Sequence, residues 1–282
     1  MQWRGRRGSS NIEDRRRVSG GAAGGIGGVG VIAVLLIGWF LGVDVTPLLN
    51  DPNALGGGGA PTELTQADQA EGEFVSVTLA DTEEIWGSVF ADQLGRQYRE
   101  PTLVLYKGVT QSPCGGASGA TGPFYCPGDK KIYLDTAFFT TMHNRLGAKG
   151  DFAAAYVVAH EVAHHVQNEL GILGQANDMR ARVSERQSND ISVRIELQAD
   201  CLSGIWARMA QAKLGTVEAG DVEEAVNAAH QIGDDTLQKN AGQVPMPHTF
   251  THGTSAQRAN WFIRGYKSGD LDQCDTFNAN RL

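Results

Sequence analysis

The sequence predicts an α+β fold, mainly helical with a small β-sheet, preceded by one transmembrane helix. Three observations support this prediction. Long stretches without proline or glycine carry apolar residues at helical spacing, short apolar runs flank a glycine-rich loop, and one uncharged stretch lies near the N-terminus. The 282 residues leave room for one folded domain of roughly 200 residues, which is enough for a real core.

The N-terminal region predicts a membrane anchor. Residues 24–43 are uncharged and increasingly apolar, and their length matches the roughly 20 residues that a helix needs to span a bilayer. Before this stretch, only Glu13 and Asp14 oppose six basic residues, namely Arg4, Arg6, Arg7, Arg15, Arg16 and Arg17. Positive residues stay in the cytoplasm, so residues 1–23 are expected to be a cytoplasmic segment of a single-pass cell-membrane protein. A cleaved signal peptide is the alternative, disfavoured by the long basic segment.

The composition of residues 44–73 predicts a flexible linker, because this stretch combines Pro47, Pro52 and Pro61 with a run of glycines at 56–59. The folded domain is expected at residues 74–282, outside the cytoplasm. Everything beyond the basic segment carries a net charge of −12. An acidic domain of this kind disfavours nucleic acid as a partner, since phosphate binding requires a basic surface.

The first elements of the domain follow from apolar spacing. Residues 81–97 predict a helix, residues 103–106 and 131–134 predict two short strands around a cysteine-containing loop, and residues 135–146 predict another helix. Residues 131–135 are also a candidate sheet edge on which a peptide could bind as an added strand, the alternative being a core strand.

The next helix, residues 151–170, carries the pattern H-E-x-x-H in His160, Glu161 and His164. Residues four apart lie on the same helix face, so both imidazoles can reach one metal ion. Glu161 points about 100° away, where its carboxylate can hold a water molecule at the metal as a general base.

An ordinary buried helix is the alternative explanation of this pattern. Its neighbours are apolar, and burying two histidines and a glutamate costs several kcal/mol unless they are hydrogen-bonded or coordinated. A metal ion is the simplest explanation. His165 points to another side of the helix and receives no ligand role.

A catalytic zinc ion takes three protein ligands, so a third is needed from elsewhere. Residues 175–203 predict a second long helix, in which Glu196 is the candidate ligand. Asp200 lies four residues later on the same face, where it could hold the free ring nitrogen of a ligating histidine. The alternative is an exposed acidic face, disfavoured because the sequence around Glu196 is apolar.

The C-terminal part offers a candidate catalytic residue. Residues 221–230 predict a helix with a capping box formed by Asp221 and Glu224, and a later helix is expected to begin at Thr254 with Gln257 completing its box. His252, just before that helix, could stabilise an oxyanion, with His248 a weaker candidate. A histidine that caps the helix or faces solvent is the alternative.

Four cysteines, Cys114, Cys126, Cys201 and Cys274, all follow the predicted anchor, and an even number outside the membrane suggests disulfides. Cys114 and Cys126 flank the glycine-rich loop, so they are paired with each other, which leaves Cys201 with Cys274. A structural zinc site of four cysteines is the alternative, but the chain has no C-x-x-C pair.

The sequence also resembles the neutral zinc metallopeptidases, found as membrane-anchored proteins in many bacteria. The resemblance covers most of the chain after the anchor. It rests on residues 112–115, 122–129 and 131–135, the segment around His160, and residues 196–201, 252–258 and 261–262. It implies a zincin-like domain in which His160, His164 and Glu196 bind Zn2+ and Glu161 is the catalytic acid and base.

Together these features predict a membrane-anchored, zinc-dependent peptidase that hydrolyses peptide or protein substrates with a zinc-activated water and Glu161 as general base. Two alternatives stay open. One is an anchored binding or scaffold protein with a structural or degenerate zinc site. The other is a zinc amidase that acts on a non-protein substrate of the cell envelope.

Overall fold

The computed structural model describes residues 1–17, 63–118, 122–144 and 146–282. Over these residues the chain is mainly helical with a small β-sheet, which confirms the predicted α+β class. The predicted transmembrane helix at residues 24–43 and most of the predicted linker lie outside the described residues. Within the described ranges, no helix combines the length and the hydropathy needed to cross a bilayer.

The strands form a four-stranded sheet and a separate hairpin. Their bounds are β1 Ile12–Asp14, β2 Thr102–Tyr106, β3 Val109–Ser112, β4 Gly115–Ser118, β5 Phe124–Cys126 and β6 Lys131–Asp135. The sheet has the order β1-β2-β6-β5, and β3 pairs with β4. Both predicted strands are present.

The candidate sheet edge at residues 131–135 is wrong, and the alternative of a core strand is confirmed. Strand β6 is interior, because it pairs in parallel with β2 on one side and antiparallel with β5 on the other. Its central residues are almost fully buried. Sequence could not place the edge, since the short strand β5 that covers β6 lies in the cysteine loop, where no strand was predicted.

Residues 1–17 are part of the folded domain, which differs from the predicted separate cytoplasmic segment of residues 1–23. Strand β1 pairs in parallel with β2, with Ile12 opposite Leu103. Trp3 is only 7% exposed. Its ring packs edge-on against Phe74, with the ring centroids 5.5 Å apart. The N-terminal segment therefore adds both a strand and core contacts to a domain that was expected to begin at residue 74.

Four of the six arginines that suggested a cytoplasmic location, namely Arg6, Arg7, Arg15 and Arg16, have acidic partners within the fold. Arg6 binds Asp81 at 2.5 Å, and Arg16, which is buried, binds Asp14 at 2.7 Å. Arg15 similarly contacts a neighbouring glutamate. Charge counting treats arginines ahead of an apolar stretch as solvent-facing, and it cannot detect a partner such as Asp81 that is distant in sequence.

Eight helices surround the sheet in the described ranges. They are α1 Gln66–Leu94, α2 Ala137–Asn144, α3 Asp151–Glu169, α4 Ile172–Arg180, α5 Glu185–Met209, α6 Asp221–Gln231, α7 Asp234–Asn240 and α8 Ser255–Ser268. Helix α1 begins well before the predicted residue 81, inside the expected linker. A capping box between Thr65 and Asp68 satisfies the backbone N–H groups of these two residues at its start.

Two predicted helix features are wrong. Residues 175–203 are not one helix, because Ser184 and Gln187 form a capping box that starts α5 after the end of α4. At the start of α6, Asp221 and Glu224 form no capping box. Glu224 instead accepts a hydrogen bond from the backbone N–H of Phe152 at the start of α3. The predicted capping box of Thr254 and Gln257 is present.

Helices α5 and α8 cross closely because glycines lie at the contact. A Cβ atom added at Gly265 would lie 1.8 Å from the carbonyl oxygen of Cys201. One added at Gly204 would lie 2.0 Å from the carbonyl oxygen of Phe262. Only glycine permits this approach of two backbones. The crossing carries residues of α8 toward the face of α5 that meets α3.

Both predicted disulfides are present. Cys114 and Cys126 join the turn between β3 and β4 to strand β5. Cys201 and Cys274 join the middle of α5 to the C-terminal segment. The four cysteines are therefore fully used, which excludes a four-cysteine zinc site.

Candidate metal and catalytic site

Helix α3 presents His160, Glu161 and His164 from inside the protein. The helix is apolar over most of its length, and both His160 and Glu161 are less than 10% exposed. The rings of His160 and His164 stack edge-on, with centroids 4.8 Å apart, as expected for residues one helical turn apart.

Glu196 on α5 completes the cluster. Its Oε2 lies 3.0 Å from Nε2 of His160, and its Oε1 lies 3.5 Å from Nε2 of His164. One ligand atom from each of these three residues lies within 4.8 Å of the other two. The structure therefore brings together the three residues that the sequence predicted as metal ligands.

The donor set and its spacing fit a zinc ion. Four ligands at about 2.1 Å in a tetrahedron lie about 3.4 Å from one another, close to the separations found here. Two imidazoles and one carboxylate are a ligand set of catalytic zinc sites, which leave the fourth position open. The cluster thus has the composition and the size that a zinc ion requires.

Electrostatics keep Glu196 ionised in spite of its burial. Burial alone would raise its pKa, but the nearby His164 and the hydrogen bond with His160 outweigh it and hold the pKa well below the usual range. Burial likewise opposes the charged form of His160, yet the carboxylates of Asp200 and Glu196 raise its pKa to about 9. Carboxylates that favour a proton on this ring also favour a metal cation.

Glu161 lies beside the ligands without belonging to the cluster. Burial raises its pKa, and the two neighbouring histidines act in the opposite direction. A carboxyl group whose pKa is raised accepts a proton more readily than an exposed glutamate does. Its position, one residue after His160, is the one predicted for a general base.

Asp200 occupies the position predicted for it, behind His160. Its Oδ1 lies 3.0 Å from Nδ1 of His160, close enough for a strong charge interaction, although the contact is too bent to be a regular hydrogen bond. Tyr156 donates a hydrogen bond to the same oxygen at 2.5 Å. Asp200 is fully buried, so its carboxylate needs the further partner that α8 provides.

That partner is Arg258. Its Nε and Nη2 donate to the two oxygens of Asp200 at 2.9 and 3.0 Å, and the side chain is 2% exposed. Its Nη2 also lies 3.5 Å from Nε2 of His160, so a positive charge borders the candidate metal site. The close crossing of α5 and α8 makes this pair possible.

His252 faces the site from the loop before α8. Asp234 at the start of α7 accepts backbone hydrogen bonds from Thr251, His252 and Gly253, and its second oxygen lies 3.2 Å from Nδ1 of His252. Enclosure lowers the pKa of His252, but the carboxylates of Asp234 and Glu196 outweigh this and raise it. Asp234 thus orients the His252 ring, and the negative charge of Glu196 is close enough to raise the pKa of that ring.

The other histidines lie elsewhere. His165 is buried, with its two ring nitrogens at Tyr125 and at the carbonyl oxygen of Arg99. His248 is exposed, and its carbonyl oxygen accepts a hydrogen bond from Asn189. Neither belongs to the cluster of ligands.

Sequence reasoning missed several residues that support the site, namely Tyr156, Gln167, Asp234 and Arg258. A usable signal existed for Arg258, because it is a charged residue in an amphipathic helix beside the buried Trp261 and Phe262. Asp234 gave no comparable signal, since an acidic residue at the start of a helix is common.

The chain is also similar to known proteins. A family model described as "Putative neutral zinc metallopeptidase" matches residues 1–277. The chain is 44% identical to the uncharacterized protein YpfJ of Escherichia coli K12, over 98% of this chain and 99% of that protein. It is 43% identical to the uncharacterized protein Rv2575 of Mycobacterium tuberculosis H37Rv, over 66% of this chain and 65% of that protein. No solved structure matches.

Proposed function

Because the chain belongs to the neutral zinc metallopeptidase family, we propose that it is a zinc-dependent peptidase that hydrolyses peptide bonds in peptide or protein substrates. One observation carries the proposal. Three side chains, the buried His160 and the partly buried His164 and Glu196, place ligand atoms within 4.8 Å of one another, with Glu161 directly beside them. A purely structural zinc site would gain nothing from that additional carboxylate.

The residues divide the chemistry among them. His160, His164 and Glu196 would hold a zinc ion, which supplies a Lewis acid that makes water a better nucleophile and polarises the substrate carbonyl. Glu161 accepts the proton of the attacking water and passes it to the leaving amine. His252, held by Asp234, donates a hydrogen bond to the oxyanion that forms as the carbonyl is attacked.

Two variants test this assignment in purified protein. Glu161→Gln keeps the shape of the side chain and removes the base, so it is expected to retain stoichiometric zinc and to lose about 10²- to 10⁴-fold in the cleavage rate of an unstructured protein. Glu196→Ala and His164→Ala are expected to lose the metal. His248→Ala, an exposed histidine, is the matched control and is expected to keep it.

Three results would contradict the proposal. They are unchanged turnover in Glu161→Gln, full zinc content in Glu196→Ala, and activity that persists after chelation. Cell-wall fragments should be offered beside the unstructured protein. Their cleavage alone would identify an envelope amidase, and binding without any cleavage would identify a scaffold protein.

We also propose that the domain works outside the cytoplasm, because two disulfides are typical of an oxidising compartment. Membrane attachment through residues 24–43 stays a prediction. Strand β1 pairs with β2, and paired strands lie on the same side of a membrane. We therefore propose that residues 1–17 lie on the same side as the domain, in place of the predicted cytoplasmic location.

Cysteine labelling tests this placement. Arg4→Cys and Val244→Cys both introduce a thiol at an exposed position, and the native cysteines are paired. A membrane-impermeant maleimide added to intact spheroplasts is expected to label both variants. Labelling of Val244→Cys alone would show that the N-terminal segment lies in the cytoplasm.

A further inference from the structure

The two candidate histidine ligands are held in different ways. Behind His160 lies a carboxylate, that of Asp200. Behind His164 lies a neutral amide, because its Nδ1 is 2.9 Å from Oε1 of Gln167 on the same helix. An amide has both a donor and an acceptor end, so it can orient the ring correctly only if something else determines which end faces His164.

Two hydrogen bonds, one to a backbone carbonyl and one to a side chain, determine the orientation of Gln167. Its Nε2 donates to the carbonyl oxygen of Ile195 at 2.8 Å and to Oε1 of Gln198 at 3.0 Å. A carbonyl oxygen only accepts hydrogen bonds, so Nε2 must face Ile195 and Oε1 must face His164. Nδ1 of His164 then carries the hydrogen, and Nε2, which lies toward Glu196, keeps its lone pair for a metal.

Gln198 is oriented by the same logic. Its Oε1 accepts from Gln167, and its Nε2 donates to the carbonyl oxygen of Cys274 at 3.0 Å. Cys274 is joined by its disulfide to Cys201, on the same helix as Gln198. Gln167, Gln198 and Cys274 are all buried, so water is a poor substitute for these hydrogen bonds.

We propose that the Cys201–Cys274 disulfide and Gln198 are positioning elements for the metal ligand His164. The disulfide holds the carbonyl of Cys274 in place, and this carbonyl orients Gln198 by accepting its hydrogen bond. Gln198 in turn accepts a hydrogen bond from Gln167, and Gln167 keeps His164 in the tautomer that binds zinc. The C-terminal segment thereby contributes to metal affinity although none of its residues reaches the ligands. This inference rests on the proposed zinc site.

Zinc affinity tests the inference, measured by competition with a chromophoric chelator. Removing a hydrogen-bond partner behind a metal ligand typically costs 10- to 100-fold in affinity. Gln198→Leu, which leaves a side chain of similar size, is expected to weaken zinc binding about 10-fold, and Cys201→Ala with Cys274→Ala is expected to act in the same direction.

Two matched controls separate positioning from general destabilisation. Gln238 is as buried as Gln198 but bonds to Thr249 and Met246, so Gln238→Leu removes an equivalent amide elsewhere. Cys114→Ala with Cys126→Ala removes the other disulfide. Both controls are expected to keep the zinc affinity of the unchanged protein.

Imidazole tautomers give a second measurement that loss of stability alone would not change. In ¹⁵N NMR of the metal-free protein, His164 is expected to carry its hydrogen on Nδ1, and Gln198→Leu is expected to shift the population toward Nε2. If the cysteine variant fails to fold, Gln198→Leu still decides the question. Unchanged zinc affinity and tautomer in Gln198→Leu would overturn the inference, whereas absence of zinc binding in the unchanged protein would overturn the proposed function itself.

Discussion

Arg258 donates hydrogen bonds to both carboxylate oxygens of Asp200, at 2.9 and 3.0 Å, in the interior between α5 and α8. Both side chains are almost fully buried. Asp200 in turn faces His160, so the pair connects the C-terminal helix of the domain to a candidate metal ligand.

Arg258→Met should strongly destabilise the protein, because it leaves the Asp200 carboxylate buried without its main partner. Breaking a buried ion pair in this way typically costs about 3–5 kcal/mol. Urea unfolding of the metal-free protein measures the loss. Arg264→Met, on the exposed side of the same helix, is the control and should change stability by about 0.5 kcal/mol or less. Equal losses in the two variants would contradict the importance of the pair.

His252→Ala should reduce kcat while leaving the zinc content unchanged. Loss of one donor to an oxyanion typically lowers kcat by about 10²- to 10³-fold, with a smaller change in KM. Asp234→Asn should produce a partial version of the same effect, because Asp234 orients the ring. A variant that lost zinc, or one in which only KM rose, would assign His252 a different role.

Gly265→Ala should destabilise the crossing of α5 and α8, since the added methyl group would collide with the carbonyl of Cys201. Overpacking of this kind costs about 1–3 kcal/mol. Gly87 in α1 is the matched control, because nothing lies within 4 Å of a Cβ placed there. Gly87→Ala should stabilise by about 0.5–1 kcal/mol. Thermal unfolding of both variants checks the opposite signs.

Asp68 should make the stability of the metal-free protein depend on acid pH. The hydrogen bond from Lys107 and those from Thr65 outweigh desolvation and lower its pKa to about 2. An unfolded aspartate titrates near 3.9, so the contribution is complete above that pH and is lost as the pH falls through about 2. Asp68→Asn should therefore be destabilised at pH 7 but resemble the unchanged protein near pH 2. A difference that did not depend on pH would exclude this carboxylate as its cause.

Trp3→Ala should lower the stability of the whole domain, because Trp3 packs in the core against Phe74. Large-to-small changes at such positions cost about 3–5 kcal/mol. Arg7→Ala is the control, because the Arg7 side chain is 63% exposed and its contact with Glu83 is a long one, at 3.9 Å. If Trp3→Ala unfolds at the same urea concentration as the unchanged protein, residues 1–17 do not belong to the domain.

Several parts of the site could be predicted because their signals are local. His160, Glu161 and His164 lie within one helical turn, so a regular helix is enough to place them together. Glu196 and Asp200 were found because they are the only charged residues in the apolar stretch that follows Arg194 in the helix. In each case, the spacing of residues along a single helix carries the information.

Errors arose where a residue's environment depends on distant parts of the chain. The strand at residues 131–135 was found, but its interior position depends on β5, which pairs with it from the far side. The arginines near the N-terminus were read as free charges, whereas Arg6 pairs with Asp81. A sequence pattern records which residues are charged or apolar, and it does not record what lies opposite them.

The sequence by itself determined the mainly helical α+β class, the residues that form the candidate metal cluster and the pairing of the cysteines. Tertiary structure alone decided that residues 1–17 belong to the domain, that Arg258 supports Asp200, and that Gln167 and Gln198 connect His164 to the C-terminal segment. The physical reason is the range of the interactions. Helical periodicity acts between residues four apart, whereas these buried hydrogen bonds and strand pairs form only when the chain brings distant segments together.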